Sequence, residues 1–249
     1  MSAGPRNRFT IKTSSGHLIV HNCGYQGGPG AFVNMAANYG IKPHVIAEIA
    51  RRAVSSEQWA NVRDGYSPAE SRGLDRETWT GVRLVVNGWR AANSRIVNGW
   101  WALQDAAIDA VGNPGRMVHV DAYGGKVRYL HSRGFLFCSL PSKRVIAYAS
   151  PRIKEVKRKT QNGEQIRLQV EYMGVDSITK RWSKQTLYGG QQANHVTQAS
   201  ARDAMVEAML NVEAAGYPIV LTVHDELVSE VPDDPRWNEA EYKKLMSKM

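Results

Sequence analysis

At 249 residues and a formal net charge of +9, this chain is long enough to bury a sizeable core and is drawn to polyanions such as nucleic acid. Its two cysteines, Cys23 and Cys138, exclude a disulfide framework and fit a reducing compartment. No apolar run approaches the roughly 20 residues that span a bilayer, and no basic-then-apolar leader opens the chain. No membrane partner and a cytoplasmic location are therefore expected.

Residues 9–13 and 18–21 alternate or run apolar around Ser14-Ser15-Gly16, which predicts a short hairpin. His21-Asn22-Cys23 follows it. A Cys thiolate can take an acyl group. An Asn side-chain amide can cyclise and cleave the chain after itself, and a His can assist as proton donor. Taken alone, the tripeptide reads as an accident of a polar loop. Next comes Gly24-Tyr25-Gln26-Gly27-Gly28-Pro29-Gly30. Glycines at this density permit sharp turns and close approach of the backbone to a ligand. No Lys follows, so the run is not a Gly-x-x-x-x-Gly-Lys phosphate cradle.

Residues 44–60 and 75–111 read as helices, the second stretch broken near Asn93-Ser94. Trp89, Ile96, Val97, Trp100 and Trp101 read as helix packing rather than ligand contacts. Residues 117–150 read as short strands, with 135–140 and 144–148 joined around Pro141-Ser142. Basic side chains then cluster at Arg152, Lys154, Lys157, Arg158 and Lys159, and again at Lys180, Arg181 and Lys184. They read as solvated faces or as contacts to a nucleic-acid backbone. Asn162-Gly163 signals a turn, and Ile166, Leu168, Val170 and Tyr172 alternate as in a strand.

A helix is predicted over 191–215. Val196, Ala199, Ala201, Met205, Ala208 and Met209 form its apolar stripe. Asn194, Gln198 and Arg202, spaced by four, share a polar face able to donate to base edges, sugars and phosphates. A hairpin over 218–231 follows, with His224-Asp225-Glu226 at its tip. His-Asp-Glu is a poor choice for turning a chain and a good one for holding a hard cation on a sheet. The stretch after Pro232 reads as helical.

Residues 185–232 resemble the last two catalytic blocks of family A DNA polymerases: a helix bearing Asn and Gln, then a palm hairpin tipped by Val-His-Asp-Glu. The block from Gly24 to Gly40 resembles the end of the fingers helix and its following turn in phage-type members. Trp89-Arg90, Asn93, Ile96 and Trp100 are similar to that pattern too, as are Phe137 and Leu140-Pro141-Ser142-Lys143-Arg144-Val145. The order is collinear from about residue 23 onward. The resemblance implies Asp225 as a ligand of two catalytic Mg²⁺ ions, Glu226 as its carboxylate neighbour and second metal-site residue, and His224 at the primer terminus. It implies Asn194 and Gln198 against the template–primer DNA, with Arg202 beside them, and Gly24, Tyr25, Gln26, Gly27 and Gly28 near the incoming deoxynucleoside triphosphate. Two ions clamping attacking and leaving oxygens need carboxylates and positioning from the protein, and the residue types fit.

Residues 1–22 break the polymerase pattern, which at this point calls for a helix of basic residues. They resemble the C-terminal end of an intein, a strand ending Val20-His21-Asn22 before Cys23. The resemblance implies His21, Asn22 and Cys23 as splicing residues and an upstream polymerase and intein fragment as partner. A first palm carboxylate strand has no counterpart here. Asp64-Gly65-Tyr66-Ser67 is superficially similar but falls after the fingers block. The second aspartate is thus expected outside this chain, and the chain alone is expected to be inactive. The expected fold is α+β: an intein segment at 1–22, partial helical fingers at 23–150, and a palm portion of antiparallel sheet with helices at 151–249. In a phage, the compartment would be the host cytosol. The competing reading is a basic, non-catalytic DNA-binding protein, which has no use for a carboxylate pair near phosphates.

Overall fold

A computed structural model describes residues 9–13, 16–20, 25–37, 40–71, 73–160, 163–224 and 226–248. The fold is mixed α+β. β1 (Phe9–Thr13) and β2 (Gly16–Val20) pair antiparallel, Phe9 opposite Val20, as the residue pattern predicts. Helices follow: α1 (Pro29–Ala37), α2 (Pro43–Ala53), α3 (Ser56–Arg63), α4 (Pro68–Ser71), α5 (Arg76–Ala92) and α6 (Ser94–Gly112).

The helix breaks have local causes. Residues 44–60 are two helices rather than one, because Ser55 and Gln58 form a capping box that starts α3 afresh. Asp75 caps α5 by accepting from the Thr78 amide at 3.0 Å, and hydrogen bonds from the Thr78 side chain and amide hold its carboxyl below the ordinary range. Between α5 and α6 the Asn93 side chain donates to the Trp89 carbonyl at 2.8 Å, satisfying a group the helix end leaves open. Trp89 and Trp100 stack across that break with ring centroids 6.2 Å apart, both buried. The tryptophans are core, as their spacing predicts. Asp64 caps the end of α3 and Tyr66 donates to the Leu74 carbonyl, so that stretch is a helix exit and not an extended strand.

The sheet is six-stranded, antiparallel and in sequence order: β3 (Met117–His119), β4 (Arg128–Ser132), β5 (Phe135–Ser139), β6 (Val145–Thr160), β7 (Gly163–Val175) and β8 (Trp182–Leu187). β6 carries the chain through residue 150. The inner face of the sheet supplies Tyr129, Leu136, Cys138, Tyr148, Val170 and Leu187 to the core. α6 lies on it, and its buried Ala106, Ala107 and Ala110 fit a close approach of helix to strands. Burial pushes the Cys138 thiol up to about 11, so it is a packing residue and not a nucleophile. No described helix is long and apolar enough to cross a membrane.

The chain ends with α7 (Gly189–Ala214), a second hairpin of β9 (Ile219–Val223) and β10 (Glu226–Ser229), and α8 (Glu239–Met246). The hairpin stands apart from the six-stranded sheet as a two-stranded unit, so the firm sheet expected beneath its tip is absent among the described residues.

Candidate active site: one helix linking a glycine loop to a hairpin tip

α7 organises the site. Its inner face sets two polar side chains, Gln192 and His195, among the buried Ala193 and Val196, and both have partners. The buried Gln192 accepts from the Tyr129 hydroxyl at 2.6 Å, and Tyr148 pairs with His195 Nδ1 at 3.0 Å. Burial lowers the pKa of His195 and raises that of Tyr148. These contacts, unforeseen in the sequence reading, fix how α7 is rotated on the sheet. Their signal was Gln192 lying four residues before Val196, on the apolar stripe.

A second tether comes from the β5–β6 turn. Arg144 Nε donates to Asp203 Oδ1 at 2.6 Å, its terminal nitrogen donates to the Ala199 carbonyl at 2.8 Å, and the Ser142 hydroxyl donates to Asp203 Oδ2 at 2.6 Å. The Pro141–Arg144 turn thus clasps the middle of α7. Partial burial works against the charge of Asp203, but the Ser142 and Arg144 contacts outweigh it and hold its carboxyl below the ordinary value. A depressed carboxyl stabilises the fold above its unfolded pKa, and the contribution fades as pH falls through the folded pKa. We expect Arg144→Ala to cost about 1–2 kcal/mol near neutral pH. The difference from wild type should shrink below about pH 4, where the unfolded carboxyl titrates. Thermal melts at both pH values check this. An undiminished difference at low pH would remove Asp203 from the explanation.

The glycine loop meets α7 at its first turn. Gln26 Oε1 accepts from the Gly190 amide at 3.0 Å, and Gln104 Oε1 accepts from the Gly189 amide at 3.1 Å. Arg90 of α5 donates to the carbonyls of Gln26 and Gly27 at 3.4 and 3.3 Å. Tyr25 is half-buried against the core, which raises its pKa. Gln26 has φ +65°, a left-handed backbone uncommon without glycine. Gly28 meets nothing within 4 Å of where a Cβ would stand, so no packing contact explains that glycine. Gly24 lies outside the described residues.

Gly190, Asn194, Gln198 and Arg202 are successive fours along α7, so the loop and the three predicted polar residues share one stripe. Asn194 is half-buried, and its Oδ1 is buried without a partner among the described residues. A buried acceptor left empty costs on the order of 1–3 kcal/mol. Gln198 and Arg202 are exposed.

At the far end of α7, Gly216 adopts φ +88° and closes the helix, with its amide donating to the Glu213 carbonyl at 2.9 Å. Buried Tyr217 then anchors the hairpin base, its ring edge-on to Trp237 at 4.8 Å and to Tyr242 at 5.2 Å. Glu226 pairs with Val223, which closes the hairpin just beyond His224. His224 carries φ +54°, a conformation tight hairpin turns demand and that His adopts only at some cost. Asp225 itself lies outside the described residues. Glu226 is exposed and has no ion pair with a described residue. Among the described residues no cluster of three or more His, Cys, Asp or Glu gathers as a metal site. His21, Asn22 and Cys23 also lie outside the described residues.

No family model matches this chain, and no solved structure does. A DNA polymerase of Bacillus phage SP02 is 30% identical to it over 212 residues, which cover 84% of this chain and 25% of that protein. The chain therefore spans about a quarter of the length of the curated relative it matches. It is distantly homologous to a phage DNA polymerase.

Proposed function

We propose that this chain is the downstream part of a DNA-directed DNA polymerase of family A, carrying template–primer contacts on α7 and one metal-binding aspartate at the hairpin tip. The observation that carries the reading is the continuity of α7. One helix connects the glycine loop at Gly190, the stripe of Asn194, Gln198 and Arg202, and the hairpin that bears His224 and Glu226. The amides suit acceptors in the minor groove and the guanidinium suits a phosphate. Tyr25, Gln26, Gly27 and Gly28 would close over the base and phosphates of an incoming deoxynucleoside triphosphate. His224 would sit against the primer end.

Asp225 and Glu226 offer the hard oxygen donors that Mg²⁺ takes, and the exposed, unneutralised Glu226 fits that role. Mg²⁺ bound there would stabilise charge on the attacking and leaving oxygens of nucleotidyl transfer. The second aspartate would come from an upstream portion of the polymerase. Two observations support a missing neighbour. The relative is about four times longer than the matched segment. The hairpin also leaves Leu221, Val223 and Val228 substantially exposed on one face, an apolar face that isolated soluble hairpins avoid.

We also propose that residues 1–22 are the tail of an intein. The β1–β2 hairpin ends at Val20 and delivers the chain to His21, Asn22 and Cys23. Cys23 would accept the upstream acyl group, and Asn22 would cyclise and release the segment with help from His21. Asn22→Ala should then accumulate the unreleased precursor when the chain is mixed with its upstream partner. Mass spectrometry reads the outcome, and release at the wild-type rate would refute the assignment. A non-catalytic DNA binder is the competing reading; it predicts salt-sensitive DNA binding that is indifferent to Asp225.

A further inference from the structure

Among the described residues no element covers the outer face of the six-stranded sheet, and its composition is specific. Strand alternation puts Leu136 and Cys138 in the core, fully buried, and turns Phe135 and Phe137 outward. Phe135 is 41% exposed and stacks on Phe137 with centroids 5.8 Å apart. On the same face, at the far edge of the sheet, Trp182 of β8 is 61% exposed. The strand registers align Phe135, Ala149, Met173 and Lys184 in one row across four strands. Phe137 faces Ala147 in the next row, and Val175 faces Trp182. Two aromatic stations thus flank a low floor of Ala147 and Ala149, three strand spacings or roughly 14 Å apart.

The charge on this face is basic. Arg128 and Arg152 are exposed on it. Lys154 and Lys184 stand either side of Glu171, at 3.4 and 3.6 Å from its oxygens, and their side chains remain 57% and 67% exposed. Surface pairs this exposed are weak and exchange readily for a phosphate. A face of exposed rings that can each take a base, more than one nucleotide apart and edged by cations, is what a sequence-tolerant single-strand site requires.

We propose that the outer face of the β3–β8 sheet binds single-stranded nucleic acid, crossing the strands with bases on Phe135 and Trp182 and backbone phosphates on Lys154, Lys184 and Arg152. This goes beyond the polymerase reading and does not depend on it, because the surface lies on the side of the sheet opposite α7. The charge favours this occupant over an apolar protein partner. A purely apolar docking face would not be edged by four exposed cations around a single carboxylate.

The test uses the full 249-residue chain and labelled oligothymidylate in a fluorescence-anisotropy titration. Trp182→Ala should weaken binding roughly tenfold, and Phe135→Ala by a similar factor, because base stacking on an aromatic is lost. Trp182→Phe should restore most of the affinity, which a merely structural role for the indole would not predict. Lys184→Gln should lower the slope of log affinity against log salt by about 0.7, the single-strand value for one phosphate contact. Unchanged melting of the exposed-site variants separates binding from folding. Oligothymidylate affinity indifferent to Trp182→Ala and Phe135→Ala would overturn the proposal and leave this face to a protein neighbour. Failure of Asp225 to matter for primer extension would leave it untouched.

Discussion

Asp225→Ala lowers magnesium-dependent nucleotide incorporation by the assembled polymerase by about three orders of magnitude or more, the scale on which loss of one preorganised charge-stabilising group is felt. The fold survives the change. The described residues hold the hairpin through the Val223–Glu226 pair and through the Tyr217, Trp237 and Tyr242 cluster at its base. Primer extension and thermal melts on the same preparation separate the two effects. Removing the carboxylate while leaving the turn in place isolates its charge. Incorporation at the wild-type rate would end the assignment of this tip as a metal site. Loss of activity together with a collapsed melt would mean that Asp225 holds the turn instead.

Gly189→Ala and Gly190→Ala act on the opposite end of α7 and for a purely steric reason. A Cβ on Gly189 would land on the Trp100 carbonyl, and one on Gly190 on the Tyr25 carbonyl and Gln26. Both obstructions include backbone, which cannot swing aside as a flexible side chain would. Overpacking typically costs about 1–3 kcal/mol, and more where the frame cannot yield, so each variant should lose about 3 kcal/mol or more. The two should differ in kind. Gly189→Ala pushes α7 from α6 and lowers global stability. Gly190→Ala also breaks the joint between the glycine loop and the helix. It should therefore weaken nucleotide binding beyond what its melting temperature accounts for. Denaturant melts and nucleotide titrations on both variants check this, and near-wild-type stability for either would contradict the packing described.

Much of this layout was legible in the sequence because the signals were local. The break at Asn93 follows from a short amide side chain between two apolar helical patterns, and the structure puts it there. The β5–β6 connection around Pro141-Ser142 and the helix before the last hairpin were legible for the same reason. The break at Ser55 was also local, a Ser-x-x-Gln capping box read through as continuous helix. What stayed hidden depends on residues far apart in the chain. The Arg144–Asp203 clasp spans 59 positions and the Tyr129–Gln192 bond 63, and no periodicity within one element reports such partners. The glycine loop shows both sides. Its density of glycine pointed to close backbone approach, yet the nearest approach is by Gly190 of α7 to Tyr25 and Gln26. The outer face of the sheet was hidden differently. Phe135-Leu136-Phe137-Cys138 is apolar on both sides, so the strand was evident but the exposure of its rings was not.

We propose that this chain supplies the downstream half of a polymerase site completed by an upstream portion. Its most direct test mixes the 249-residue chain with that portion, then follows primer extension and product mass together. Magnesium-dependent extension is expected from the mixture and from neither part alone, with a ligated product that has lost residues 1–22. Extension without ligation would keep the polymerase assignment and remove the splicing one. A folded mixture that binds primer–template but never extends it would contradict the claim.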